Sequence, residues 1–219
     1  MRKARSLTPS QIKKVLKKCL LMQEPELKRA ALVLSLSTLR VSELAQITIS
    51  DLLLPTGEIK TELHLRAALC ERRRPRTVWL SQQTKLILQE WLDCRKRRKW
   101  AVTFDSDYQG LNPKSKVLLN NRGGSFSMKS KTRYNQSNER VDYFACDVLE
   151  SSLRNIYQRC GFYGASSHTG RRSYATNMNA AGVPLETIQR ALGHKNPSMS
   201  LEYIDISPDQ LSKAAVQAF

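Results

Sequence analysis

Apolar residues fall at helical spacing near the start of the chain, where Ile12, Val15, Leu16 and Cys19 form one stripe. The preceding Thr8-Pro9-Ser10-Gln11 has the form of a capping box: Thr8 as cap, Pro9 at the first helical position and Gln11 reaching back. A second apolar helix is predicted from about Pro25 through Ala30, Leu32, Leu34 and Leu36, running into Thr38-Leu39-Arg40-Val41-Ser42-Glu43-Leu44. Between Ile47 and Leu80 the period shortens. Leu63-His64-Leu65 and Thr77-Val78-Trp79-Leu80 read as strands, with Pro55-Thr56-Gly57 and Glu71-Arg72-Arg73-Arg74-Pro75 as turns, so one small antiparallel sheet is expected within about 47–80. Ser81 caps a helix carrying Leu86, Ile87, Leu88, Trp91 and Leu92, which ends in the basic run 95–99. Residues 105–140 are polar and poorly periodic apart from Val117-Leu118-Leu119, and a mobile polar insert is expected there. Helical patterning returns at 141–160, at 172–181 (closed by Gly182) and at 184–192. A second capping box, Ser207-Pro208-Asp209-Gln210, opens a C-terminal helix over 207–219. The sum is an α+β chain, mainly helical, with one small sheet.

Charge narrows the class of partner. Lys plus Arg total 36 against 19 Asp plus Glu, a formal net charge of +17 over 219 residues. Such a field attracts polyanions, and double-stranded DNA is the expected partner. A membrane surface is the rival reading, but no apolar run approaches the roughly 18 to 20 residues that span a bilayer, and the helices lack apolar faces with basic rims. The opening MRKARSLTPS has no apolar run behind its basic residues, as a signal peptide would. Five cysteines, an odd number with no CxxC pair, argue against a disulfide framework or a zinc finger. A reduced, cytoplasmic setting is expected, with no metal and no cofactor.

Arg40, His168, Arg171, His194 and Tyr203 each stand in or beside a predicted helix end or turn, where side chains can converge on a ligand. Arginine suits a phosphodiester, because its planar fork holds two non-bridging oxygens and its charge does not titrate away. Histidine suits proton transfer near neutral pH, and a tyrosine whose proton is removed is an oxygen nucleophile. Singly, each residue has an ordinary structural reading: a solvated arginine, a histidine bound to a carbonyl or to a helix dipole, a core tyrosine. Together they form a metal-free kit for phosphoryl transfer.

In order, these segments resemble the catalytic boxes of the tyrosine site-specific recombinases, the phage-integrase family. Thr38-Leu39-Arg40-Val41-Ser42-Glu43-Leu44 resembles box I and His168-Thr169-Gly170-Arg171-Arg172-Ser173-Tyr174-Ala175-Thr176 resembles box II. Leu192-Gly193-His194 followed by Tyr203 resembles the last histidine and the nucleophile, and the likeness runs from about Thr8 to Phe219. The resemblance implies the catalytic-domain fold of that family and cleavage of DNA by Tyr203 to a 3′-phosphotyrosyl bond and a free 5′-hydroxyl. It also implies that Arg40 and Arg171 clamp the phosphate, that His168 exchanges the tyrosine proton and that His194 adds a hydrogen bond. Integration, excision or inversion of DNA, without metal or ATP, is the activity it implies.

Two features depart from the family pattern. The family places a general-acid lysine on the turn between two strands, and here Cys70-Glu71-Arg72-Arg73-Arg74-Pro75-Arg76 holds none, so Arg72 or Arg73 is the candidate replacement. Arginine, with a pKa above about 12, can steady a leaving oxygen but donates its proton poorly. The chain also starts almost at the catalytic domain, without the family's N-terminal core-binding domain, so 1–219 is read as a single catalytic domain. Arg74, Arg76, Arg95, Arg97, Arg98, Lys129 and Lys131 are candidate DNA contacts, with a solvated surface as their ordinary reading. A monomer in free solution is expected, self-associating to a dimer or tetramer on DNA as the C-terminal helix docks in trans. A non-catalytic DNA-binding regulator of the same fold, or a type IB topoisomerase-like relaxing activity, is the alternative.

Overall fold

The computed structural model describes residues 3–70, 74–134, 138–206, 211–212 and 215–216. Helix α1 (Pro9–Cys19) opens with the expected capping box, Thr8 Oγ1 accepting from Gln11 N at 3.3 Å and Gln11 Oε1 from Thr8 N at 3.0 Å. Helix α2 (Pro25–Leu36) is buried without a break from Ala30 to Ser35, the signature of a helix with no solvent face. It packs against α1, α5 (Gln82–Arg97), α6 (Asp147–Arg159) and α7 (Thr169–Ala180), and so forms the axis of the main core. Two short helices, α3 (Val41–Leu44) and α4 (Ile49–Leu52), follow α2. Among the described residues no helix is long and apolar enough to cross a membrane.

The expected antiparallel sheet pairs β1 (Glu62–Leu65) with β2 (Arg76–Trp79), in the register Leu63↔Val78 and Leu65↔Arg76. Leu63, Leu65 and Val78 are buried. Because side chains alternate along a strand, Arg76 shares their inward face.

A second two-stranded sheet was not anticipated. Strands β3 (Lys129–Tyr134) and β4 (Arg140–Ala145) form an antiparallel ribbon, so 141–145 is strand where helical patterning suggested the start of α6. Most of the ribbon is exposed, so its two faces carry little of the apolar alternation that marks a half-buried strand. The polar stretch before it also contributes to the core. Leu111, Val117, Leu118 and Leu119 are buried, and Trp91 Nε1 donates to the Val117 carbonyl at 2.7 Å.

All five cysteines are buried thiols, and burial pushes the Cys19 thiol up to about 12, as expected of a core residue. A smaller core, Ala175, Ile188 and Leu192 with Tyr174, Met178, Val183, Tyr203 and Ile204, joins α7 to α8 (Leu185–Leu192) and to the segment after α9 (Pro197–Leu201). The N-terminal strand of chain is tied to α7 as well: Leu7 N donates to Ser173 Oγ at 2.9 Å and Thr169 Oγ1 to the Arg5 carbonyl at 2.8 Å.

Candidate active site

After α2 the chain turns sharply at Thr38, whose φ of 74° lies in the left-handed region. Arg40 then caps α3, its backbone N–H donating to Glu43 Oε2 at 2.7 Å and its guanidinium lying 3.4 Å from Glu43 Oε1. Glu43 is fully buried, whereas the Arg40 side chain stays 24% exposed.

Arg171 reaches the same turn from α7. Its guanidinium donates to the Thr38 carbonyl, to the Leu192 carbonyl at 2.7 Å and to His194 Nε2 at 3.1 Å. Burial first, then the cations Arg40 and Arg76, push the Arg171 guanidinium down from its ordinary range, yet arginine is basic enough to stay charged. Helix α7 can approach α2 this closely because residue 170 is glycine: a Cβ there would stand 2.6 Å from the Ser35 carbonyl oxygen. His168 is exposed at the N-terminal end of α7, three residues before Arg171 and so on the same face of the helix.

The tautomer of His194 follows from its neighbours. A guanidinium only donates, so Nε2 accepts from Arg171, and Nδ1 carries the proton that it donates to Ser200 Oγ at 2.9 Å. Burial, followed by repulsion from Arg171, Arg40 and Arg76, pushes the imidazole down to about 4, so His194 is neutral at pH 7.

Tyr203 closes the cluster. Its ring centroid is 4.9 Å from that of His194, and the Arg171 Cζ lies 5.7 Å from it. The segment bearing it is strapped to α7 by Arg172, which donates to the Glu202 carbonyl and pairs with Asp205, and by Thr176 Oγ1, which donates to the Tyr203 carbonyl at 3.3 Å. Arg40, Arg171, His194 and Tyr203, drawn from four separate segments, are thereby brought together.

The expected DNA contacts scatter. Arg74 is exposed beside β2, and Lys129 and Lys131 lie on the ribbon facing Asp147, with β4 packing against α3 at the edge of the site. Arg95 is instead a core residue: fully buried, it donates to the Lys116 carbonyl at 2.9 Å and to Ser115 Oγ at 2.9 Å. One turn of α5 faces the 115–117 loop at this position, which the run of basic letters conceals. Arg76 is also turned inward, pairing with Glu43 at 2.5 Å. Arg97 and Arg98 pair with Glu26 and Glu24, at the end of α2 opposite Thr38 and so about 18 Å away along a 12-residue helix. Arg72 and Arg73 lie outside the described residues, as does the Ser207-Pro208-Asp209-Gln210 capping box.

Sequence reasoning assigned no role to Glu43, Thr38, Arg172 or Ser200. Glu43 was within reach, since a carboxylate three residues after a helix cap is the capping-box spacing. Thr38, Arg172 and Ser200 act through long-range contacts that no local pattern reports.

The sequence model described as the phage integrase family matches residues 5–210, and the chain belongs to that family. A tyrosine recombinase XerC of Pelobacter propionicus is 27% identical over 175 residues, covering 80% of this chain and 46% of the relative. The fold is that of solved recombinases. A crystal structure of XerA recombinase superposes with a TM-score of 0.70 at 18% identity, covering 98% of this chain and 65% of the other. One of XerH site-specific recombinase bound to palindromic difH substrate in a post-cleavage complex gives 0.63 at 20% identity, covering 96% and 51%. The chain thus spans about half the length of the XerC relative.

Proposed function

We propose that this chain is the catalytic part of a site-specific DNA recombinase, acting in the cytoplasm on double-stranded DNA. The observation that carries the reading is the packing of Tyr203 against both Arg171 and His194, with Arg40 held at the same turn by Glu43. In this mechanism the Tyr203 oxygen attacks the scissile phosphorus. A P–O bond forms to the tyrosine, the bond to the 5′-oxygen breaks, and the phenol proton passes to His168. Arg40 and Arg171 hold the non-bridging oxygens and stabilise the charge of the pentacoordinate state. Rejoining is the reverse attack by a 5′-hydroxyl, so the bond energy is kept in the phosphotyrosine and no ATP is consumed. Arg72 or Arg73 steadies the leaving oxygen, and water supplies its proton.

Arg74, Lys129 and Lys131 border the site and are the proposed phosphate footprint. Self-association on DNA is part of the proposal, supported by the exposed apolar side chains of Leu211 and Val216 beyond Tyr203, with a monomer in free solution. The absence of lysine from 66–76 favours one second reading, a DNA-binding regulator with weak catalysis.

Covalent trapping separates the two. Wild type and Tyr203→Phe are incubated with nicked duplexes drawn from the DNA flanking the gene and run on a denaturing gel, with binding measured on the same duplexes. A slow-migrating protein–DNA adduct from wild type alone is expected. Tight binding by both proteins with no adduct from either would overturn the enzymatic reading in favour of the regulator.

A further inference from the structure

We infer that Arg76 is a positioning residue of the phosphate site: it neutralises Glu43 and so keeps that buried carboxylate from drawing the Arg40 guanidinium inward. The inference rests on the recombinase reading and adds to it a residue that never touches DNA.

Arg76 enters from the inward face of β2 with its side chain 7% exposed. Its Nη2 donates to Glu43 Oε2 at 2.5 Å and to the Thr38 carbonyl at 3.0 Å, and its Nη1 to Thr38 Oγ1 at 3.3 Å. Thr38 Oγ1 in turn donates to the Ala191 carbonyl at 3.1 Å. The aliphatic stem passes so close to residue 193 that a Cβ there would stand 2.4 Å from Arg76 Cδ. One side chain therefore joins the turn holding Arg40, the carbonyl that anchors Arg171 and the glycine before His194.

Two simpler roles fit less well. A phosphate contact needs an accessible guanidinium edge, and both terminal nitrogens of Arg76 are engaged inside the protein. A filler of the sheet's inner face needs no charge, and a buried cation there is costly to desolvate. The burial of Arg76 pushes its guanidinium down while Glu43 holds it up, as expected of a cation retained for its counter-ion.

Glu43 carries one negative charge between two arginines. With Arg76 bound, that charge is met from inside the protein, and the contact of Glu43 with Arg40, at 3.4 Å, is the longer of the two. With Arg76 removed, a fully buried carboxylate would have Arg40 as its nearest remaining cation. Burial makes an unpaired carboxylate unfavourable, so Glu43 would draw the Arg40 guanidinium inward and away from substrate. The site would lose its first arginine without any change in that residue.

The test compares wild type, Arg76→Met, Arg40→Ala, the double variant of these two, and Arg76→Met combined with Glu43→Gln. Each is read by single-turnover rate of adduct formation on a nicked duplex, by affinity for the same DNA across a salt series, and by melting. Arg76→Met should slow adduct formation about 100-fold, the scale of a misplaced catalytic group, and lower the salt slope by no more than Arg40→Ala does. A phosphate contact made by Arg76 itself would lower the slope by about one more in the double variant than in Arg40→Ala. The double variant with Arg40→Ala should fall well short of the product of the single losses, because both act on one group. Glu43→Gln should restore at least about tenfold of the rate lost in Arg76→Met, since it removes the charge that captures Arg40.

Multiplicative losses, a salt slope lower in the double variant than in Arg40→Ala, or no restoration by Glu43→Gln would each overturn the inference. If Arg76→Met does not fold, Arg76→Lys takes its place; retaining a cation beside Glu43, it should keep most of the rate, and a loss as deep as that of Arg40→Ala counts against the inference. Absence of an adduct from wild type defeats the recombinase reading first, and this inference with it. An adduct formed equally by wild type and Arg76→Met defeats this inference alone.

Discussion

Ser200 Oγ accepts a hydrogen bond from His194 Nδ1–H, while Nε2 accepts from Arg171. Ser200→Ala leaves the buried Nδ1–H without its acceptor and should slow adduct formation about tenfold, the cost of one lost buried hydrogen bond. Ser200→Thr keeps the hydroxyl and should retain most of the rate; equal losses in both variants would mean that packing, not the hydroxyl, is what matters. The depressed basicity of His194 also has a sign. The folded protein holds the ring neutral down to about 4, whereas an unfolded histidine protonates near 6.5. Between these values the unfolded chain binds more protons, so His194 contributes stability that is full above about pH 6.5 and is lost as pH falls towards 4. Melting temperature measured from pH 7 to pH 4 should therefore fall less steeply in His194→Asn than in wild type.

Two glycines set how the elements meet. Gly193 closes α8 with φ at 67°, a conformation that costs an L-residue about 1–2 kcal/mol, and it also faces the Arg76 stem. Gly193→Ala should lower the melting temperature and slow cleavage together. Gly170→Ala sets a methyl group against the backbone of Ser35 and should destabilise by about 1–3 kcal/mol, the usual range for an overpacked core. Thermal denaturation of both variants checks this; an unchanged melting temperature for Gly170→Ala would mean that α7 can ride further from α2.

The elements were legible where burial imposes a period. Helices α1, α2 and α5 and strands β1 and β2 each turn one regular set of apolar residues, or in α2 nearly every residue, towards the core. The β3–β4 ribbon is mostly exposed, so water accepts either periodicity and the strand at 141–145 passed for helix. The same physics explains Arg76 and Arg95. Each belongs to a run of basic residues that reads as surface, yet counting in twos from Val78 puts Arg76 inward, and counting helical turns from Leu88 and Trp91 puts Arg95 beside the core. Period outranks residue type at both positions.

At the scale of the whole molecule, a net charge of +17 should make the proposed affinity for DNA depend steeply on salt, because each neutralised phosphate releases counterions. The placement of the basic residues says which ones count. Arg74→Ala and Lys129→Ala should each lower the log–log salt slope by about one, whereas Arg97→Ala, at the far end of α2, should leave it unchanged. Equal effects from all three would indicate a diffuse field in place of a footprint. Of the expected site residues, Arg40, Arg171, His194 and Tyr203 are drawn together by the fold, and their order along the chain, not any one residue type, was what the sequence offered. What holds them was not, because the contacts of Thr38, Arg172 and Ser200 depend on the closed chain.

The Thr38 carbonyl accepts from Arg171, 133 positions further along, and Leu7 binds Ser173 across 166. Contacts that span so much chain form late in folding, since each must first close a long loop. The centre is therefore among the last parts of the protein to exist. A chain emerging from the ribosome carries Arg40 early but lacks the Leu192 and His194 anchors of Arg171 until residue 194, and the strap of Tyr203 until residues beyond 200 have been made. Its clustered residues cannot assemble before the chain beyond residue 200 has been made, and under the proposed function the order of manufacture would act as a safety catch on DNA cleavage.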